Sequence, residues 1–373
     1  MGGTKPVTDR RSGFPRSAAL RLRRVGRPGI LYVALAMYQA LNAADALPFA
    51  YVANAGSGDV SVINTTTSLV ATTIAVGLTP EQVAITPNGQ FAYVTNSGSN
   101  NVSVIRTATN AVIATVPVGS GPTGVAITPN GQFAYVSNSG SNNVSVIRTA
   151  TNAVIATVPV GSGPAGVAIT PNSAFAYVAN FGSTNVSVIV TATNEVVATV
   201  PVGSSPTGVA ITPNGVFAYV ANFGSDTVSV IVTATNEVVA TVVVGNGPTG
   251  VAITPNSAFA YVANFISDTV SVIATATNEV IATVSVGQRP DFLSGTFDGA
   301  LVYVPNQTSN TVSVIATASN AVVATIPVGA NPTGVAITAT EFPAIPTLSE
   351  VGLMVLAVAL AAALALRVIA RLA

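Results

Sequence analysis

Short runs of β-branched and small apolar residues alternate along most of this chain with clusters of Gly, Pro, Asn, Asp, Ser and Thr. Around Tyr219 the apolar runs are Val209 to Thr212, Phe217 to Ala221, Thr227 to Val232 and Val238 to Val244. Pro213-Asn214-Gly215, Asn222-Phe223-Gly224-Ser225-Asp226 and Thr233-Ala234-Thr235-Asn236 separate them, and Gly245-Asn246-Gly247-Pro248 follows. Four runs of strand length joined by turn chemistry predict an antiparallel four-stranded sheet, with strands A to D in that order. Along strand B, Phe217 and Tyr219 share one face while Ala218 and Val220 share the other. Both faces are apolar, which suits a sheet packed between two neighbours and makes the tyrosine a core residue rather than a catalytic one.

The unit recurs. A Tyr-Val-x-Asn tetrad stands at Tyr51, Tyr93, Tyr135, Tyr177, Tyr219, Tyr261 and Tyr303, a constant spacing of 42 residues. Four short strands in a unit of that length are the signature of a propeller blade, which buries its faces only against its neighbours. The predicted fold is all-β: a seven-bladed β-propeller of four-stranded antiparallel blades over residues 47–340. Strand D carries Pro117, Pro159, Pro201 and Pro327, and proline lacks the N–H that a central strand must donate, so D is the outer edge and A lines the channel. The chain enters at a B strand, Phe49 to Ala53, and leaves after an A strand, Val335 to Thr338, so the two ends should complete one blade together.

The flanks carry different signals. Arginines from Arg10 to Arg27 precede the apolar run Ile30 to Leu41 and the small-x-small site Ala44-Asp45-Ala46, the order of a secretory signal, so residues 1–46 read as a signal segment with its helix. In residues 341–373, Val351 to Leu366 is an uncharged apolar run followed by Arg367 and Arg371, a candidate transmembrane helix. Basic residues outside both runs meet the positive-inside rule if the ring is translocated. Ile345-Pro346-Thr347-Leu348-Ser349-Glu350, placed directly before that run, resembles the IPTL-type C-terminal sorting signal of Gram-negative exports, although Val351 stands where that family usually has Trp. The resemblance implies processing by an exosortase-type protease, membrane attachment through the C-terminal helix, and a final location in the envelope, at the surface or outside the cell. A plain tail anchor is the other reading.

The repeat itself, with Tyr-Val-x-Asn, Val-Ser-Val-Ile, Thr-Ala-Thr-Asn and Pro-x-Gly-Val-Ala-Ile-Thr-Pro-Asn-Gly, resembles the YVTN family of secreted and surface-layer propellers. It departs from that family at Arg106, Arg148, Val190, Val232, Ala274 and Ala316, where Asp is frequent, and at Leu293-Ser294-Gly295-Thr296, a degraded A strand.

Composition narrows the chemistry. The chain has no Cys, His or Trp, which removes the usual zinc ligands, general base and thiol nucleophile, and no cofactor is implied. Within the repeats only Arg106, Arg148 and Arg289 oppose ten acids, so the ring should repel nucleic-acid phosphates. Asp59, Asp226 and Asp268 sit singly on separate blades, too dispersed for calcium, which takes six to eight oxygens.

Because successive strands are antiparallel, the B–C and D–A loops share a rim, and that rim is the expected binding face, with the longer loops. Phe181, Phe223 and Phe265 follow the Asn of three consecutive blades there, with Ile266, Asp226 and Asp268 beside them. This arc suits contact with a sugar or a partner loop; alternatively each Phe seals a blade junction and was copied with its unit. Glu195, Glu237 and Glu279 recur in the same copies on the opposite rim, which favours the second view. The leading expectation is a non-enzymatic binding or structural scaffold whose partner is an envelope or extracellular protein or glycan. The alternative is a lactonase-like hydrolytic propeller using a metal and channel carboxylates, with Asp291 and Asp298 as candidates.

Overall fold

Each repeat folds as its alternation dictates. In the computed structural model, which describes residues 48–339, the second blade runs Pro80–Ile85, Phe91–Asn96, Asn101–Arg106 and Ala111–Pro117, hydrogen-bonded in that order as strands A to D. Seven such sheets form, all antiparallel within themselves, and the described residues contain no helix. The A strands lie beside one another around the axis. The D strands face outward, and every one bulges where strand C shifts register, as between Val104 and Ile105 in the second blade. A bulge on an edge strand, with Pro at its end in several blades, discourages pairing with another molecule.

Closure is as expected. Pro332–Ile337 pairs antiparallel with Phe49–Asn54, aligning Ala336 with Tyr51 and Val335 with Val52, so the first blade takes its A strand from the end of the chain. Thr338 fastens the join, its hydroxyl accepting from the Phe49 N–H at 2.8 Å.

Burial then holds the wedges together. Tyr51 packs with Val83, Val94 and Ile105 of the following blade, and the same mixed cluster recurs around the ring, ending with Tyr303 against Ala50, Val52 and Val335. The seven tetrad tyrosines are all buried, and each contributes about 2–3 kcal/mol through its apolar area. In six of them the hydroxyl also crosses to the next blade. Tyr135 donates to Asn194 Oδ1 at 2.8 Å and Tyr93 to Asn152 at 2.6 Å, at the end of the neighbour's C–D turn. Asn194 and Asn152 hold positive φ, which Asn tolerates better than most residues. Burial pushes the Tyr135 phenol up to about 12, consistent with a core role.

Two expectations are corrected. The loops of the B–C and D–A rim are not in general the longer ones: Ala55 to Gly58 and Val76 to Thr79 span four residues each, whereas the A–B turn Thr86 to Gln90 spans five, and the exception is the linker Val286 to Leu293 that enters the seventh blade. Strand A is also longer than its apolar run, beginning at Pro206 rather than Val209, because Pro206 pairs with Asn222 across a bulge. The signal segment and the sorting motif Ile345 to Glu350 lie outside the described residues. Among the described residues no helix is long and apolar enough to cross a membrane.

Candidate functional site

The aromatic arc is real and continuous. The N–H groups of Phe181, Phe223 and Phe265 donate to the carbonyls of Gly163, Ser205 and Gly247, which clips each B–C loop to the linker entering its blade. Their rings are thereby spaced evenly: Phe181 to Phe223 and Phe223 to Phe265 are each 6.3 Å between centroids, tilted by 52° and 59°. Phe223 leans over Gly247, where an added Cβ would lie 3.1 Å from its Cε2 and 2.8 Å from Ile266 Cγ1. The arc ends on the seventh blade's linker, where the Arg289 guanidinium stands 5.4 Å from the Phe265 ring centre. Phe181 and Ile266 are exposed, at 44% and 59%, while Phe223 and Phe265 are half-buried between them. The strip therefore both seals junctions and presents an apolar surface.

The two aspartates beside it have a structural task. Asp226 Oδ1 accepts from the Gly247 N–H and Asp268 Oδ1 from the Arg289 N–H, each at 2.8 Å. Asn100 and Asn142 do the same in other blades, accepting from Gly121 and Gly163. Asp59 accepts from Asn54 Nδ2 at 2.6 Å. Among the described residues no three acids converge as a metal site would need.

The channel holds a second locus, which the sequence reading saw only in part. Glu81, Thr123, Ala165, Thr207, Thr249, Asp291 and Thr333 occupy one repeat position at the channel mouth on the B–C and D–A side. The threonines bridge blades there: Thr207 donates to the Pro248 carbonyl and Thr333 to the Pro80 and Glu81 carbonyls, at 3.0, 3.1 and 2.8 Å. Glu81 and Asp291 replace threonine on the two blades that flank the closing blade. The next position is glycine in five blades because the neighbouring strand's carbonyl fills the space, as Glu81 O does 2.6 Å from a Cβ built on Gly334. In the two acid-bearing blades it is Gln82 and Phe292.

Both carboxyls are raised above their ordinary values. Burial is the main cause for Asp291, pushed up to about 8, with the nearby Glu81 charge adding to it. Glu81 is also raised by burial, partly offset by the Ser97 hydroxyl, which donates to Oε1 at 2.9 Å. Asp298 does not join them. It sits exposed in an A–B turn on the opposite rim, accepting from Thr296 and the Ala300 N–H, which lower its pKa. The pairing of Asp291 with Asp298 is thus replaced by Asp291 with Glu81. Comparing each blade with the repeat consensus reveals this pair, because both acids share one column of the repeat.

Below this mouth a cavity of about 170 Å³ is walled by A-strand residues of six blades, among them Gln82, Val167, Val209, Val251, Phe292 and Gly334.

Several solved structures share the architecture. Hydrazine synthase from Kuenenia stuttgartiensis is 26% identical with a TM-score of 0.67, the match covering 72% of this chain and 92% of that one. A functionally unknown protein from Desulfotomaculum acetoxidans DSM 771 is 20% identical with a TM-score of 0.71, covering 79% and 99%. Dihydro-heme d1 dehydrogenase NirN in complex with DHE is 14% identical with a TM-score of 0.61, covering 78% and 75%. No curated protein matches the chain. The family model described as YNCE-like beta-propeller matches residues 24–342. With seven four-stranded blades closed by its own two ends, the chain belongs to the YNCE-like β-propeller family.

Proposed function

We propose that this propeller is an exported binding scaffold rather than an enzyme, placed in the envelope, at the surface or outside a Gram-negative cell, and that the Phe181–Phe223–Phe265 strip is its contact face. The observation that carries this reading is the continuity of the strip over three blades, with Phe181 and Ile266 exposed at its margins. Tilted rings present edges and small clefts rather than one flat stack, which suits an apolar loop of an envelope or extracellular protein better than a run of sugar faces. Export and anchoring rest on the terminal signals, with an exosortase-type protease acting at Ile345 to Glu350.

A photo-crosslinking residue at position 181 of the full chain, expressed in a Gram-negative host with its native envelope, tests the contact. A discrete protein adduct that Ile266→Ser removes supports the reading. Adducts unaffected by that change, or glycan binding with no protein adduct, overturn it. Tagged protein with and without residues 345–373 tests the export route: retention of the full-length form in the cytoplasm defeats it.

A second reading, a hydrolytic propeller, is favoured by one observation: Asp291, held up to about 8 in the channel, carries a proton near neutrality and suits general-acid work. Turnover of a lactone panel that Asp291→Asn abolishes would establish it.

A further inference from the structure

We propose that the outer edge of the third and fourth blades is a self-association surface, through which two copies of this chain pair about a two-fold axis. It uses neither the phenylalanine strip nor the channel, and it rests on neither reading of them.

The apolar part of the surface comes from the edge-strand bulges. In the third blade Val146 pairs with Ala156 and Ile147 with Val154, so Ile155 is the extra residue; Val197 is its counterpart in the fourth. A regular strand would turn successive side chains to opposite faces. Here Val154 and Ile155 are both outward, 38% and 42% exposed, as are Val196 and Val197 at 39% and 55%. The bulge hinders addition of another strand, yet it offers a pair of adjacent side chains for packing.

Charge then distinguishes the blades. At the register pair where strand C ends and strand D begins, the third blade has Arg148 opposite Ala153, and the fourth has Val190 opposite Glu195. Both charges are exposed, and neither meets an opposite charge across its own ladder. The second blade repeats the base as Arg106, the fifth and sixth repeat the acid as Glu237 and Glu279, and the first and seventh carry no charge at this pair. Base therefore adjoins acid at one junction of the ring, between the third and fourth blades, whose D strands are neighbours.

Such a junction is complementary to itself. A two-fold axis parallel to the channel, set beside it, keeps the C–D turns of both copies level and places the third blade of each against the fourth blade of the other. Arg148 then faces Glu195 of the second copy twice over, with the Val-Ile and Val-Val pairs packed between. An exposed ion pair alone is weak, but here two of them border one apolar patch. The same axis leaves both phenylalanine strips on one side of the pair.

The test is sedimentation equilibrium of the full-length protein in a density-matched nonionic detergent. The expected result is a monomer–dimer equilibrium weakened by added salt. Arg148→Glu and Glu195→Arg should each weaken it tenfold or more, since each change sets like charges together at two places, and the double variant Arg148→Glu/Glu195→Arg should restore it. Arg106→Glu, one blade away from the axis, should leave it nearly unchanged. All four changes are at exposed positions, and recovery in the double variant shows that the single variants had folded. The proposal is overturned by a monomer, by an assembly larger than a dimer, by single reversals without effect, by a double variant as weak as the single ones, or by an equal loss in Arg106→Glu.

Discussion

Tyr303 has Ser68 where its six counterparts have asparagine. Ser68 ends the first blade's C–D turn, at the repeat position of Asn110 and Asn152, and the Tyr303 hydroxyl is the single tyrosine hydroxyl left buried without a hydrogen-bond partner among the described residues. The junction joining the chain's two ends is therefore the one that lacks the crossing bond. Ser68→Asn should restore it and also place a more tolerant residue at φ 55°. The expected gain is about 1 kcal/mol, read as a higher urea midpoint at unchanged slope. Tyr303→Phe should be neutral or slightly stabilising, whereas Tyr135→Phe, which strands Asn194, should cost about 1 kcal/mol.

The raised Asp291 carboxyl makes stability depend on pH in a defined direction. The unfolded chain releases this proton near the ordinary value of 3.8 and the folded ring only near 8. Between those values the folded state holds a proton that the unfolded state has lost. Stability contributed by this group is thus complete below about pH 4 and lost as pH rises through about 8. Glu81 acts in the same direction and Asp298 in the opposite one at the acid end. Asp291→Asn should flatten the fall in urea midpoint between about pH 5 and 8; an unaltered profile would contradict the assignment.

At the channel wall, Gly208 has the Thr249 carbonyl where a methyl would go. Backbone cannot move aside as a flexible side chain does, so Gly208→Ala should destabilise the ring by about 2–3 kcal/mol. Thermal or urea unfolding of the purified variant measures this directly.

On the rim, the guanidinium over Phe265 should contribute about 0.5–1 kcal/mol, lost in Arg289→Ala and partly kept in Arg289→Lys. Phe181→Ser, at the exposed end of the strip, should leave stability nearly unchanged while removing the proposed partner contact. That contrast separates a contact role from a sealing role.

Periodicity made blade count, strand order, edge strands and closure legible, because each follows from one unit repeated and from where proline and the chain ends fall within it. Strand A was misjudged at its start. Thr207-Gly208 has turn composition, yet it is a bulged stretch within a strand, and glycine is there because a neighbouring carbonyl crowds it. The site was less legible for the same reason that the fold was easy. Repeated features such as the phenylalanines attract notice, whereas Glu81 and Asp291 stand far apart in the chain and are brought to one mouth only by ring closure.

The Pro-Thr-Gly-Val-Ala-Ile hexapeptide of the closing strand also occurs at Pro122–Ile127, Pro206–Ile211 and Pro248–Ile253. Any of these copies matches the entry strand Phe49–Asn54 in composition, so specificity at the joint does not come from side chains. It comes from position in the chain. Every earlier copy is followed after a short turn by its own B strand and is captured locally. The last copy has no such downstream partner among the described strands, and arrives free to pair with a segment made several blades before. A chain truncated before Pro332 would leave Phe49–Asn54 unpaired on its inner side and the ring one strand short of closure.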